Sequence, residues 1–323
     1  MFIVRLLAVL GLLLLQSVAG NAQSCSFSNT GVNFGNVNLT ANVPYTATGT
    51  FTASCSGIAN ARIKICPNFG AGSGGTTGTG DPRRMTQGVN LLDYGLYEAA
   101  NFSNVWGSNL WGLTPDVDGI IIRLDAAGAA APVAKTIYGR IPAGQTALPT
   151  GTFLSTFSGN DALVQYTYVN NSSASCSPSP GGSTQSVPFI VRATNNSSCT
   201  VATTALSFGT QPDLATARTT TNTVSVTCTT GTQYEIGMSN GSSGGTGPTA
   251  RLMKNVATAQ AVTYGIYRDA ARTSPWGNTA GTNTQTGTGN GLVQPYTGYG
   301  LIPVQPTPPA LLYSDSVVVT VTY

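Results

Sequence analysis

The 323-residue sequence contains no histidine, and only 8% of its residues are charged. Without histidine a Ser-His-Asp site cannot be built, so the Gly-Ser-Ser-Gly-Gly stretch at Gly241–Gly245 indicates a turn. A formal net charge of +3 does not indicate a nucleic acid or an acidic membrane as partner. The cysteines lack zinc spacing, and the 11 Asp and Glu residues form no acid–base pair by spacing. The sequence therefore predicts no catalytic, cofactor or metal site.

Long apolar runs are also absent, except at the beginning of the chain. One early charge, Arg5, precedes an apolar run over Leu6–Leu15, and small residues follow up to Ala22. This pattern is typical of a secretory signal peptide over residues 1–22. The run is too short for a membrane-spanning helix, which needs about 20 apolar residues. We therefore expect an exported protein that begins near Gln23 and has no membrane span.

The sequence is rich in glycine, serine and threonine, and it contains 39 glycines. Helix surfaces are usually rich in Glu, Lys and Ala, so this composition favours an all-β fold with many turns. Short alternating apolar runs are separated by Gly, Pro and Asn clusters, which is typical of β-sandwiches. The length of the exported part indicates two domains.

Two halves of the sequence carry the same landmarks in the same order and at similar spacing. This repeat predicts a duplicated domain, with the first copy over residues 23–193 and the second over 194–323. The first copy ends its repeat with ALVQYTY and the second with VVVTVTY. The other paired landmarks are Cys25 and Cys199, Phe34 and Phe208, Cys55 and Cys228, Arg83 and Arg251, Tyr94 and Tyr264, Trp106 and Trp276, and Tyr138 and Tyr299.

Six cysteines lie in the exported part, and an even number behind a signal peptide predicts disulfides. The repeat makes Cys25–Cys55 and Cys199–Cys228 equivalent pairs. Two cysteines, Cys66 and Cys176, have no counterpart in the second copy, so we expect them to pair with each other.

The landmark order resembles the spore coat protein U domain family, which includes subunits of archaic (Csu-type) chaperone–usher pili. The resemblance covers Cys25–Tyr168, with larger insertions, and Cys199–Tyr323. It implies two immunoglobulin-like β-sandwiches, of which the C-terminal one lacks its final strand. It also implies that another polypeptide supplies that strand by β-strand addition. The implied partners are a periplasmic chaperone, an outer-membrane usher and an adjacent pilus subunit.

The last residues of the chain predict a β-strand that needs a partner. Val317, Val319, Val321 and Tyr323 share one face of a run of β-branched residues. Exposed apolar strand edges are a hazard that proteins normally avoid. The resemblance implies that these four residues belong to the surface that accepts the donor strand.

The first copy has a candidate final strand of its own. After its matching strand comes SVPFIVRA, in which apolar residues alternate, and we interpret Val187–Ala193 as that strand. An interdomain linker is the alternative, because Pro188 is unfavourable in a central strand. The sequence thus predicts a first domain that completes itself and a second domain that does not.

The position in a pilus is predicted from the beginning of the exported chain. Only Gln23 and Ser24 precede Cys25, too few for a donor strand, so we expect a subunit that receives a strand and gives none. The resemblance then implies a tip adhesin that is exported through the periplasm to the cell surface. Its function would be attachment to abiotic or host surfaces and biofilm formation. A structural capping or coat subunit is the alternative, and a secreted glycan-active enzyme is a third hypothesis.

Insertions in the first copy are the expected place for surface contact. They carry apolar residues among Gly, Ser, Thr and Pro, which is typical of exposed loops, and they resemble the hydrophobic finger loops of this adhesin type. The alternative is that Trp111 and Phe153 fold back onto the core. The surface-binding candidates are Leu110, Trp111, Leu113, Leu148, Phe153 and Leu154.

Overall fold

The structure is a computed structural model that describes residues 23–77, 81–110, 117–177, 179 and 181–323. The predicted signal peptide at residues 1–22 and two surface candidates, Trp111 and Leu113, lie outside the described residues. The described chain consists of β-strands with two single 3₁₀ turns, at Leu39–Ala41 and Gly159–Asp161. The predicted all-β fold is confirmed.

The first domain is built from two sheets. One has the strand order β1-β3-β8-β6-β5-β9-β12-β2 and the other has the order β11-β10-β4-β7. Apolar residues from both sheets form one hydrophobic core. The strands are β1 (Ser24–Asn29), β2 (Val32–Val37), β3 (Tyr45–Ser56), β4 (Arg62–Phe69), β5 (Arg83–Gln87), β6 (Asn90–Tyr97), β7 (Ile120–Arg123), β8 (Val133–Ile141), β9 (Gly151–Phe157), β10 (Ala162–Val169), β11 (Ser183–Ser186) and β12 (Phe189–Asn195).

The second domain repeats this plan with fewer strands. Its sheets have the orders β13-β14-β19-β17-β16 and β18-β15-β20, and they share a separate hydrophobic core. Two cores in one chain follow from the duplicated apolar pattern. The strands are β13 (Cys199–Thr203), β14 (Arg218–Cys228), β15 (Gln233–Met238), β16 (Arg251–Lys254), β17 (Ala261–Tyr267), β18 (Gln285–Thr288), β19 (Val293–Ile302) and β20 (Val319–Thr322).

The paired landmarks occupy equivalent places in the two cores. Trp106 and Trp276 are buried, and their indole nitrogens donate to the carbonyls of Pro67 and Ile236, both at 2.9 Å. A buried Trp whose N–H has a partner contributes a large apolar area without leaving an unpaired donor. These tryptophans are therefore core residues in both copies.

Three disulfides hold the sheets, with the pairing that the repeat predicts. The bridges are Cys25–Cys55, Cys66–Cys176 and Cys199–Cys228. The first and third each join the first strand of a domain to its neighbour in the sheet, because Cys25 lies opposite Cys55 and Cys199 opposite Cys228. The second closes a longer loop in the first domain only.

The two domains touch where β12 ends. This strand continues to Asn195, two residues beyond the expected boundary at Ala193. The Thr230 hydroxyl donates to the Ala147 carbonyl at 2.9 Å. The Asn38 amide donates to the Ser198 hydroxyl, also at 2.9 Å. The first-domain segment that precedes β9 therefore lies against the second domain.

Candidate strand-acceptor groove

The first domain is completed by its own strand, β12. This strand pairs antiparallel with β9 and parallel with β2. Phe189, Val191 and Ala193 are buried, whereas Ile190 is 49% exposed. Pro188 lies before the strand and not within it, so its missing N–H interrupts no ladder. The strand interpretation is confirmed with bounds Phe189–Asn195, and the linker alternative is wrong.

Aromatic packing holds β12 in the core. The Phe189 ring stacks on Phe157 with centroids 4.3 Å apart and is tilted against Phe69 at 4.7 Å. Offset or tilted aromatic pairs at such distances contribute beyond the area that they bury. The strand is thus an integral part of the first sandwich.

The matching place in the second domain is open. In the first domain β10 has a strand on each side, β4 and β11. Its counterpart β20 pairs with β15 along one edge, and among the described residues no strand pairs with its other edge. In the described part of the second domain no strand takes the position of β12 either. The core beside β20 is therefore exposed where a final strand would cover it.

A groove with a volume of about 310 Å³ marks this open place. One wall is the segment 313–319, which leads into β20, and the other is the segment 203–208, which ends at the landmark Phe208. In the first domain the corresponding walls are β9 and β2, and β12 lies between them. The base of the groove is formed by Met238, Met253, Tyr264 and Ile266.

Three of the four predicted acceptor residues lie at this groove or at the core next to it. Val317, Val319 and Val321 are half-buried and pack against the second core. Tyr323 does not, because it is 58% exposed and lines a different cavity together with Thr320 and Thr322. The assignment of Tyr323 to the acceptor face is wrong, since β20 ends at Thr322 and the alternation does not continue through Tyr323.

A carboxylate also lines the groove, which the sequence reasoning missed. Asp315 lies between Tyr313 and Val317 on the inward-facing side of the wall. Its oxygens accept hydrogen bonds from the Tyr264 hydroxyl at 2.8 Å and from the Ser243 backbone N–H at 3.1 Å. Burial and this bond to Asp315 raise the pKa of Tyr264 far above its ordinary value, so the hydroxyl keeps its proton. The sequence did offer a signal for this residue, because Asp315 is a charged residue at an inward-facing position of an alternating run.

The turn that holds Asp315 is the glycine-rich stretch Gly241–Gly245. Gly241 has a φ of 87°, and a Cβ at this position would overlap the Asp315 carboxylate. Glycine is therefore required there. The buried Arg251 supports the same turn, because its guanidinium donates to the carbonyls of Ser239 at 2.8 Å and Trp276 at 2.7 Å. The wall and the turn are thus held together without a donor strand.

The surface candidates of the first domain fall into different places. Leu110 and Leu154 are exposed, at 42% and 41%. Phe153 is fully buried, because β9 alternates and places Phe153 inward and Leu154 outward. Leu148 is half-buried against the core and adjoins the junction with the second domain. The surface-binding interpretation is therefore wrong for Phe153, and Leu148 is not part of an exposed loop tip.

An alanine-rich turn in the first-domain insertion borders a cavity that both polar and apolar side chains line. The cavity has a volume of about 600 Å³, and its lining combines Ile121, Val133 and the segment 129–131 with the polar residues Arg123, Asp125 and Ser172. Asp125 shapes the turn, because its carboxylate accepts from the backbone N–H groups of Ala127 at 2.8 Å and Ala129 at 2.9 Å. These hydrogen bonds hold the pKa of Asp125 below its ordinary value.

The described ranges contain no group of three His, Cys, Asp or Glu side chains that could hold a metal ion. Among these residues no helix has the length and hydrophobicity needed to span a bilayer. The open groove is thus the most distinctive feature of the described chain.

Comparisons with known proteins agree with this architecture. Protein U of Myxococcus xanthus is 36% identical over 107 residues, which is 32% of this chain and 59% of Protein U. The chain thus spans less than two thirds of that relative. The structure of the CsuC–CsuE chaperone–tip adhesion subunit pre-assembly complex from the archaic chaperone-usher Csu pili of Acinetobacter baumannii is similar with a TM-score of 0.54. It is 16% identical, and the match covers 93% of this chain and 100% of that chain.

A second solved structure, the CupB6 tip adhesin from Pseudomonas aeruginosa, is 13% identical with a TM-score of 0.36, over 92% of this chain and 94% of that chain. The spore coat protein U domain model matches residues 12–159 and 185–320, which is most of the chain and includes both repeats. Because the family model matches both copies and well over half of the chain, the chain belongs to the spore coat protein U domain family.

Proposed function

We propose that this protein is the tip adhesin of a chaperone–usher pilus and joins the fibre by accepting a donor strand in the groove of its second domain. The observation that carries the proposal is the difference between the two copies. The first domain is closed by β12, whereas the equivalent place in the second is open among the described residues. One acceptor site in a two-domain chain suits a subunit at the end of a fibre.

The partners follow from the open strand position. A periplasmic chaperone fills the groove first, and an adjacent subunit replaces it at the outer-membrane usher, by β-strand addition in both cases. The fold similarity to a chaperone–tip adhesion subunit complex supports this assignment. Export through the periplasm to the cell surface is part of the same proposal, which includes no catalytic activity.

The energy of strand addition is large relative to the stability of a domain. A donor that buries about five apolar side chains gains roughly 8–15 kcal/mol, at about 1.5–3 kcal/mol for each. A whole domain is typically stable by about 5–15 kcal/mol. The second domain without a donor is therefore expected to be poorly stable, which suits a subunit that a chaperone must accompany.

Attachment is assigned to the first domain. Its exposed apolar residues Leu110 and Leu154, together with Trp111 and Leu113, form the proposed contact with abiotic or host surfaces during biofilm formation. Support comes from the exposure of Leu110 and Leu154 and from the absence of Trp111 and Leu113 equivalents in the second copy.

The test replaces Leu110, Trp111 and Leu113 together by Ser or Thr in cells that assemble the pilus. Attachment to polystyrene and to host cells should be lost, while the number of pili seen by electron microscopy stays the same. The matched control is Val256→Ser, because Val256 is fully exposed in the second domain. It should change neither quantity.

The alternatives give different results in this experiment. Normal attachment by the triple variant would indicate a structural capping subunit instead of an adhesin. Immunogold label for this chain along the whole fibre, instead of at its end, would contradict the tip position.

A further inference from the structure

The first domain provides a template for how a strand fits into this type of groove. In the pairing of β12 with β9, Val191 lies directly opposite Ser155. Both residues are fully buried, so both side chains point into the core. Residues directly opposite in an antiparallel pair have Cβ atoms about 4.5–5.5 Å apart. The side chain at the position of Val191 therefore contacts the side chain at the position of Ser155.

In the second domain the position of Ser155 is taken by Asp315. In the first copy Leu154 pairs with Thr86, which lies three residues after the landmark Arg83. In the second copy Ser314 pairs with Lys254, which lies three residues after the landmark Arg251. The residues that follow, Ser155 and Asp315, are therefore equivalent.

The carboxylate of Asp315 differs from the hydroxyl of Ser155 in what it requires once a donor strand covers the groove. Asp315 is half-buried at the open groove, and its carboxylate accepts hydrogen bonds from Tyr264, Ser243 and Ser316 on the protein side. A donor strand in the register of β12 would place one inward side chain between Asp315 and Leu206, the counterpart of Val32. An aliphatic side chain there would remove the remaining solvent exposure of Asp315 and offer no hydrogen bond in return, which is costly for a charged group.

We infer that Asp315 is a specificity-determining residue: it selects donor strands with a hydrogen-bond-donating or cationic side chain, such as Thr, Asn or Lys, at the facing position. It discriminates against strands with an aliphatic residue there, as in β12. This inference rests on the proposed strand-acceptor function and adds the chemistry of the donor to it.

Selection against an aliphatic residue at this position would keep β12 out of the second groove. Among the described residues each molecule has one apolar final strand, β12, and two grooves of the same type. A β12 that entered the second groove, of the same copy or of another, would leave the first core open and exchange strands between molecules. The carboxylate disfavours that pairing because Val191 would face a charged group there, whereas in the first domain Val191 faces the neutral hydroxyl of Ser155.

The experiment compares two synthetic peptides with the purified chain from Gln23 to Tyr323. One has the sequence Ser183–Asn195, and the other carries V191T. Because hydrogen bonds to charged groups contribute about 1.5–3 kcal/mol, the V191T peptide should bind about tenfold or more tightly by fluorescence anisotropy. A third peptide with I190T, altered on the outward side of the strand, controls for composition and should match the unmodified peptide.

Two variants of the chain complete the test. In Asp315→Ser, which has the first-domain residue, the preference for V191T should disappear. Asp315→Asn keeps the shape of the side chain and should reduce the preference, so the test does not depend on the stability of the serine variant. Equal affinities of the unmodified and V191T peptides for the unmodified chain would overturn the inference and leave the acceptor function standing. Failure of every peptide to bind any of the chains would overturn both.

Discussion

The strand β12 is expected to stabilise the first domain mainly through Phe189. This side chain is 5% exposed and contacts the rings of Phe157 and Phe69 at centroid distances of 4.3 and 4.7 Å. Phe189→Ala removes these contacts and leaves a cavity, since the surrounding strands relax only partly. Substitutions of this type cost about 3–5 kcal/mol. That is a large part of the usual stability of a domain.

Hydrogen exchange with mass spectrometry on the intact chain measures this loss domain by domain. The slowest amides of β9 and β2, which flank β12, exchange through global opening of the domain. Their protection should fall by roughly two to four orders of magnitude, because about 1.4 kcal/mol corresponds to a factor of ten. Amides of the second domain serve as an internal reference and should be unchanged.

Ile190→Ala is the matched control, because Ile190 is the next residue in the same strand and is 49% exposed. Its effect should be about 0.5 kcal/mol or less, as for most surface substitutions. If Phe189→Ala left the protection of β9 and β2 unchanged, or if the two variants had equal effects, β12 would not be the strand that completes the first core.

Two further predictions concern the second domain and the acid sensitivity of the first. Residues 194–323 expressed alone should aggregate or melt without cooperativity. A flexible linker and an alternating apolar strand appended after Tyr323 should raise the melting temperature by many degrees, because a tethered donor has an effective concentration in the millimolar range. A stable, cooperatively melting 194–323 monomer would contradict the open-strand interpretation. Asp125 has a folded-state pKa below its unfolded value of about 3.9, so its stabilising effect is fully present above that value and is lost as the pH falls through the folded-state pKa. Asp125→Asn should therefore lower the melting temperature at pH 7, and this difference should shrink as the pH falls below about 3.9. A difference that does not change with pH would show that the charge of Asp125 does not act through these hydrogen bonds.

Much of the architecture was determined by the sequence alone, because it is encoded in spacing. The repeat indicated equivalent cysteines, and the structure contains the bridges Cys25–Cys55 and Cys199–Cys228. The alternation of Phe189, Val191 and Ala193 predicted a strand where a linker was the alternative. Landmark order alone was enough to predict the family. All of these signals are local patterns or comparisons between the two copies, so they need no knowledge of which strands are neighbours.

The composition of the site was decided only by the tertiary structure. Alternation in β9 shows that Phe153 and Leu154 lie on opposite faces, but only the packing of both sheets shows which of them is buried. Leu148 lies at the junction with the second domain because its neighbour Ala147 accepts a hydrogen bond from Thr230, which is far away in the chain. Asp315 is identified as a specificity residue only by the pairing of β9 with β12, which places the equivalent Ser155 opposite Val191. Strand pairing and register are long-range properties that the sequence pattern does not give. A period of two distinguishes the two faces of a strand, whereas the partner across the sheet determines what each face must contact.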